Sequence, residues 1–360
     1  MPLMQKVLLG MLVFIPIAFI AKFLDAPPLI IFIFSGLAIV PLAALIANST
    51  EAIAEVIGPT LGGLLNATFG NATEMIISIV ALRQGLVDVV KASLSGSIIA
   101  NLLLALGLAT LLGGLRFREQ NFQPAVARIN SSSLTLAVIV MMTPTAIKYT
   151  APSVNLQALD QFSYAAAVLL LLFYGLMLLF SMKTHRHLFM MEDNEAAVVE
   201  SEEETVDVNL KLQIGILLVG TIVLVFVSEV LVDSLQESIT SVGLSQVFTG
   251  VILIPLFSGF VEFITCIKFA LNNRMEGAVA VAIGSSLQII LFVAPVLVLA
   301  GWFLGQPEMN LSFNPFELVC VIAAVMITNS ISNDGRSNWL EGVLLLITYA
   351  VLAIAFFVHP

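Results

Sequence analysis

Two glutamates, Glu74 and Glu262, each stand in a long apolar run among small polar residues. Gly70, Asn71 and Thr73 lie beside Glu74, and Ser258, Gly259 and Thr265 beside Glu262. A charged side chain at the middle of a bilayer costs roughly 2.5–3.5 kcal/mol on insertion scales, so an acid in such a run marks a site of function. The runs that follow add Ser97 and Asn101 in one case and Ser285, Ser286 and Gln288 in the other. Every donor in this set is an oxygen: carboxylate, amide, hydroxyl or main-chain carbonyl. Oxygen-only sets select hard cations, and two carboxylates balance a divalent charge. Ca²⁺ suits the set better than Mg²⁺, which demands a tight octahedron and sheds water reluctantly. Without a cation, desolvation and mutual repulsion favour protonated carboxyls. Groups that hold either protons or a divalent cation carry the chemistry of proton-coupled exchange.

The elements that must position these acids are membrane helices. Of 360 residues 59% are hydrophobic and only 11% charged, and the mean hydropathy is +1.06. Soluble domains carry about 25% charged residues, so a soluble enzyme, a disordered chain and a nucleic-acid binder are all excluded. The net charge of −10 offers no basic footprint for a polyanion. A hydrocarbon core of ~30 Å needs about 20 apolar residues per helix. The apolar runs predict eleven spans, at 7–24, 28–48, 60–82, 87–112, 130–149, 160–182, 212–235, 246–270, 278–303, 314–331 and 339–358. The expectation is an all-α polytopic membrane protein. Residues 1–27 form a first helix, 28–182 one five-helix repeat, 183–211 an acidic linker, and 212–360 a second five-helix repeat.

The repeat is visible in the chain itself. Glu74 to Ser97 and Glu262 to Ser285 each cover 23 residues, and both pairs are offset by 188. Each Gly-Ser opens or interrupts the helix after its glutamate. Five spans separate the matched helices, and an odd number means that the repeats enter the membrane from opposite sides. Inverted repeats place their binding site at mid-membrane, where the halves meet. Two further acidic pairs, Glu51 with Glu55 and Glu229 with Asp233, stand four residues apart on one helix face and are expected to line the two entrances.

Charge sets the orientation. Lys6, Arg116, Arg118, Arg128, Lys183, Arg186, Lys211, Arg274 and Arg336 fall on one side, against Lys22, Arg83, Lys91 and Lys148 on the other. The positive-inside rule puts the N-terminus and the linker in the cytoplasm. That linker holds Glu192, Asp193, Glu195, Glu200, Glu202, Glu203, Glu204 and Asp207, and the 24 acids less these eight leave 16 against 14 bases. As a helix it would present Glu200 with Glu204, and Glu203 with Asp207, as a cation-collecting surface. Like charges four apart also destabilise an isolated helix, so a solvated linker is the competing reading. Cys266 and Cys320 give no disulfide framework. An intramembrane hydrolase would need a nucleophile with its base, and no His falls in a span beside a candidate serine. The short N-terminus, without a targeting extension, points to a prokaryotic plasma membrane.

The motifs GNATE (70–74), TLGGLLNATFGNATE (60–74), GSIIAN (96–101), GGLRFREQ (113–120), AIGSSLQI (282–289), LFVAP (291–295) and DGRSNWLEG (334–342) resemble those of the Ca²⁺/H⁺ antiporter (cation/proton exchanger) family. The likeness runs from about residue 48 to the end. It implies eleven helices, a cytoplasmic acidic helix between two inverted five-helix halves, and electrochemically driven exchange of Ca²⁺ for protons. It maps the family's central glutamates onto Glu74 and Glu262, its site amide onto Asn71, and its polar partners onto Ser97, Asn101, Ser285 and Gln288. The expected partners are Ca²⁺, protons and the lipid bilayer, with no resident cofactor and with homo-oligomerisation left open. The second motif departs from the family. Where Gly-Asn-Ala-Ala-Glu-His is usual, this chain has Ser258, Gly259, Phe260, Val261, Glu262 and Phe263. One amide and one imidazole are missing, and Asn101, Gln288 or water are the groups available to compensate. The alternative reading is therefore a same-fold exchanger of other cargo or coupling, such as Mn²⁺ export or Na⁺/Ca²⁺ exchange.

Overall fold

A computed structural model describes residues 3–151, 153, 155–188, 209–306 and 308–358. Glu200, Glu203, Glu204 and Asp207 of the expected acidic helix lie outside the described residues.

The helices are α1 (Lys6–Phe23), α2 (Pro28–Ile57), α3 (Leu61–Phe69), α4 (Ala72–Arg83), α5 (Val87–Phe117), α6 (Pro124–Thr150), α7 (Gln157–Thr184), α8 (Leu210–Val242), α9 (Gln246–Ser258), α10 (Phe260–Leu271), α11 (Met275–Phe303), α12 (Pro315–Ile331) and α13 (Trp339–Val358). Eight are long and apolar enough to cross a membrane, and ten spans result when the bent pairs α3–α4 and α9–α10 each count once. The region of the eleventh expected span, 314–331, holds the shorter apolar helix α12, which is not counted among the ten. The chain is an integral membrane protein, almost wholly helical. Among the described residues the strands are a ribbon in which β1 (Glu119–Asn121) pairs antiparallel with β2 (Arg336–Asn338).

Burial, not hydropathy, sorts inner helices from outer ones. A helix apolar on every side is either buried or lipid-facing. In α5 and α11, 72% and 67% of the most apolar stretch is buried, against 11% in α1 and 22% in α7 and α13. Leu94, Ile98, Ile99, Leu102, Leu103 and Leu106 of α5 and Ile283, Leu287, Ile289, Ile290 and Leu291 of α11 fill the centre. Small residues let main chains approach where lipid supplies no hydrophobic drive between helices. At Gly96 the α5 backbone lies so close to Val251 of α9 that a Cβ would collide with its main-chain oxygen.

Two features of the core helices differ from the sequence expectation. The spans predicted at 60–82 and 246–270 are broken, bending by 43° between α3 and α4 and by 58° between α9 and α10. The breaks fall at Gly70–Asn71 and Gly259, again one repeat apart. The two Gly-Ser pairs, by contrast, neither open nor break their helices. Gly96–Ser97 and Gly284–Ser285 lie inside continuous helix, and the irregularity comes just after, as π-turns at Ala100–Ala105 and Ile289–Val293. A π-bulge takes up one extra residue without ending a helix and is frequent at functional sites.

Polar contacts between loops show which ends share a face. With 31 residues, α5 rises about 46 Å at 1.5 Å per residue, so its two ends lie on opposite faces. Gln120, just past the far end of α5, donates to Ala270 O at 2.9 Å and to Asn273 Oδ1 at 3.1 Å. Gln84, just before the near end, donates to Asp233 Oδ1 at 2.7 Å, and Lys22 pairs with the same carboxylate. Helix α10 therefore ends on the first face and α4 on the second. The two glutamate-bearing helices run in opposite senses.

Candidate functional site

The breaks decide where the acids sit. Glu74 occupies the first turn of α4 and Glu262 the first turn of α10, where the unpaired N–H groups of a helix start oppose the cost of burying a carboxylate. Glu74 is 5% exposed. Glu262 is half-buried, with its Oε2 shut off from solvent. The two carboxyls are near enough to repel each other, and Ser258 stands beside Glu74.

Four oxygens of this region are buried without a hydrogen-bond partner: Glu74 Oε2, Glu262 Oε2, Ser97 Oγ and Ser258 Oγ. Buried polar atoms are nearly always paired, so a cluster of orphans calls for an explanation. A cation supplies one, because it takes lone pairs from several oxygens at once. Among the described residues no trio of His, Cys, Asp or Glu gathers. Any cation held here is thus bound by two carboxylates and neutral oxygens.

The amides join the halves. Asn71 sits in the α3–α4 break, with its Nδ2 donating to Gln288 Oε1 and its Oδ1 accepting from Ser285 Oγ at 2.8 Å. Ser285 Oγ also accepts from Asn101 Nδ2 at 3.2 Å. Asn71, Asn101, Ser285 and Gln288 therefore form one network across three helices. Gly70 packs against it, since a Cβ there would lie 3.1 Å from Gln288 Oε1. The equivalent break in the second half has Gly259 where the first has Asn71, and Ser97 stays unpaired on that side. The site is lopsided: tied on one side, open on the other.

A vestibule of about 790 Å³ leads to Glu262 and to Gly70, Ser285 and Gln288. Glu51, Glu55, Gly58 and Gly62, at the end of α2 and the start of α3, form its mouth, and Glu262, Thr265, Gly284, Ser285 and Gln288 lie along it. The mouth is on the first face, the opposite end of α3–α4 from Gln84. Glu229 and Asp233 are placed elsewhere. Asp233, on the second face, is held by Lys22 and Gln84. Glu229 is half-buried within α8 and does not border the vestibule. The structure thus brings Glu74, Glu262, Asn71, Gly70, Asn101, Ser285 and Gln288 together, leaves Ser97 buried on α5 with its Oγ unpaired, puts Glu51 and Glu55 at one mouth, and leaves Glu229 and Asp233 apart from it.

One buried acid escaped the sequence reading. Glu317, in the first turn of α12, is 3% exposed and accepts from Ser95 Oγ at 3.1 Å. A glutamate at the start of an apolar run reads as interfacial, and only packing reveals its burial.

Comparison with known proteins agrees with this geometry. Residues 27–183 and 212–358 match the sodium/calcium exchanger protein family. The chain is 52% identical over 364 residues to a Ca²⁺/H⁺ antiporter of Aphanothece halophytica, covering 99% of this chain and 97% of that one. It is 51% identical to a Ca²⁺/H⁺ antiporter of Synechocystis sp., covering 99% and 98%. The fold superimposes on native YfkE with a TM-score of 0.84 at 34% identity, covering 99% of this chain and 100% of YfkE. The H⁺/Ca²⁺ exchanger CAX, at 15% identity and a TM-score of 0.71, shares the fold over 99% and 93% of the two chains. Full-length similarity to antiporters on a fold built around two antiparallel broken helices leaves no room for an enzyme: this chain belongs to the sodium/calcium exchanger family, among its Ca²⁺/H⁺ antiporters.

Proposed function

We propose that the protein exchanges Ca²⁺ for protons by alternating access, with Glu74 and Glu262 holding either the cation or the protons. The observation that carries this reading is the central pair of carboxylates with orphaned oxygens around them, reached from one face by an acidic vestibule. Its antiporter relatives support the choice of ions.

Charge compensation makes the exchange obligatory. Two ionised carboxylates alone in a low-dielectric centre repel each other and lose hydration, so neutrality there requires either Ca²⁺ or protons. Ser97, Ser258 and main-chain carbonyls freed at the breaks complete an oxygen shell around the cation. With protons bound the shell is neutral and the cation leaves. Glu51 and Glu55 raise the local cation concentration at the mouth. The first face, which carries the excess of Lys and Arg, is assigned to the cytoplasm. The vestibule then opens inward, and the second face closes over Lys22, Gln84 and Asp233. Turning to the second face separates that contact and closes the mouth, while the antiparallel halves keep the acids central.

The test is ⁴⁵Ca²⁺ uptake into proteoliposomes under an imposed pH gradient, with Mn²⁺, Mg²⁺ and Na⁺ as competitors or drivers. Uptake driven by protons and not by a sodium gradient is expected. Glu74→Gln and Glu262→Gln, which copy the protonated form, should each abolish both proton-driven uptake and Ca²⁺/Ca²⁺ exchange in folded protein. Transport retained by either variant removes that residue from the site.

A further inference from the structure

On the second face, away from the vestibule, a separate polar cluster runs from the surface to a buried acid. Lys91 Nζ of α5 donates to Asn310 Oδ1 and to Ser312 O, both at 2.9 Å. Asn310 Nδ2 in turn donates to Asp160 Oδ1 of α7 at 2.9 Å. One helical turn deeper on α5, Ser95 Oγ meets Glu317 at 3.1 Å. Glu317 faces the charges of Asp88 and Lys91, and Lys148 of α6 and Glu308 act on Lys91. From α13 the neighbour is apolar, Phe356 against Phe316, with ring centroids 4.9 Å apart. Cys320 lies one turn along α12 and senses Glu317.

The central site does not account for this acid. Glu317 lies on the other flank of α5 from Ser97 and Asn101, and its position one repeat earlier is Ile129, so it is no part of the symmetric machinery. Burying a carboxyl in a membrane with one hydroxyl partner is costly, and a purely structural position would be cheaper with an apolar residue. Ser312, whose main-chain oxygen accepts from Lys91, is 8% exposed, and its Oγ is buried with no partner. The cluster thus presents a protonatable acid, an amine and an unpaired hydroxyl, connected outward to Asp160 and the exposed Asp88. A divalent ion needs an open aqueous route such as the vestibule. A proton needs only a chain of groups that can accept and pass it.

We propose that Glu317, with Ser95, is the proton-handling station of the second face, taking up and giving off the protons that the central carboxylates exchange when the site turns that way. The step is a proton transfer only: Glu317 gains a proton from the surface groups or water and returns to carboxylate as it passes the proton on. The proposal rests on the exchange reading above, and its test separates the two.

In proteoliposomes, Glu317→Gln keeps the shape and loses the titratable group. Proton-driven ⁴⁵Ca²⁺ uptake should fall about a hundredfold or more, the low end of what a positioned proton-transfer group contributes being about 10², and its dependence on the pH of the second face should flatten. Ca²⁺/Ca²⁺ exchange, which moves no protons, should stay within about twofold. Ser95→Ala should lower the proton-driven rate alone, by a smaller factor. Parallel loss of both modes in monodisperse Glu317→Gln protein would make the residue a mere brace for α5 and overturn the proposal, as would wild-type rates and pH profile. Should Glu317→Gln not fold, Ser95→Ala decides by the same split. If the wild type shows neither mode, the exchange reading itself falls.

Discussion

Gly284 offers a substitution whose effects on stability and transport should diverge. It lies in the helical part of α11 next to Ser285, on the vestibule wall, and a Cβ built on it would meet nothing within 4 Å. Glycine in a helix interior is less favourable than leucine by roughly 0.8 kcal/mol, through backbone entropy. Gly284→Leu therefore adds helix propensity without a clash, and the side chain projects into aqueous space, so no core burial is gained or lost. In domains of 150–250 residues 1 kcal/mol moves Tm by about 2–4 °C, which sets an expected rise of about 1–3 °C here. Transport should move the other way. The new isobutyl group stands beside Ser285 and one turn from Gln288, on the route the cation must take to Glu262. A tenfold slower uptake corresponds to only about 1.4 kcal/mol on the barrier, and at least that is expected from a partial obstruction. Thermal unfolding followed by size-exclusion fluorescence, and ⁴⁵Ca²⁺ flux on the same preparation, read the two effects. Wild-type flux at unchanged or higher Tm would show that the vestibule is not the cation's route. A lower Tm would show that the space beside Gly284 is filled in the folded protein.

Two other substitutions probe the way the halves are joined. Asn71→Ala removes the hydrogen bonds to Ser285 and Gln288; with ~1 kcal/mol per bond and water from the vestibule re-pairing part of the loss, about 1–2 kcal/mol of stability should go. A Tm lower by a few degrees with weaker Ca²⁺ affinity is expected, and an unchanged Tm would mean that the network does not link the halves. Gly96→Ala forces a methyl into the main-chain oxygen of Val251, and backbone yields poorly, so a loss of about 1–3 kcal/mol is expected. Wild-type thermal stability in that variant would contradict the close crossing of α5 and α9.

Much of this architecture is legible in the amino-acid order, because lipid imposes a simple rule. Every membrane-spanning backbone must pair internally and carry about 20 apolar residues, so the runs locate the helices, although α2 and α8 continue past their expected ends at 48 and 235 to Ile57 and Val242. The 188-residue offset between Glu74 and Glu262 is a fact of the chain, and the opposite senses of α4 and α10 bear out the reasoning from an odd number of intervening spans. The sequence also named Asn71, Asn101, Ser285 and Gln288, which the folded chain joins in one network. Packing decided the rest. Gly70–Asn71 and Gly259 break their helices while the equally glycine-marked Gly96–Ser97 and Gly284–Ser285 do not, because glycine permits a break without requiring one. Glu51 with Glu55 and Glu229 with Asp233 look alike in sequence, yet only the first pair borders the vestibule, and Asp233 is claimed by Lys22 from 211 residues away. Glu317 gives no signal in the chain, because burial at the end of a short helix depends on which surfaces close over it. Local residue types specify what must be buried and what could bind. Which of several equivalent acids meets water, cation or cation-bearing side chain is a property of contacts far apart in the chain, and those exist only once the helices have packed.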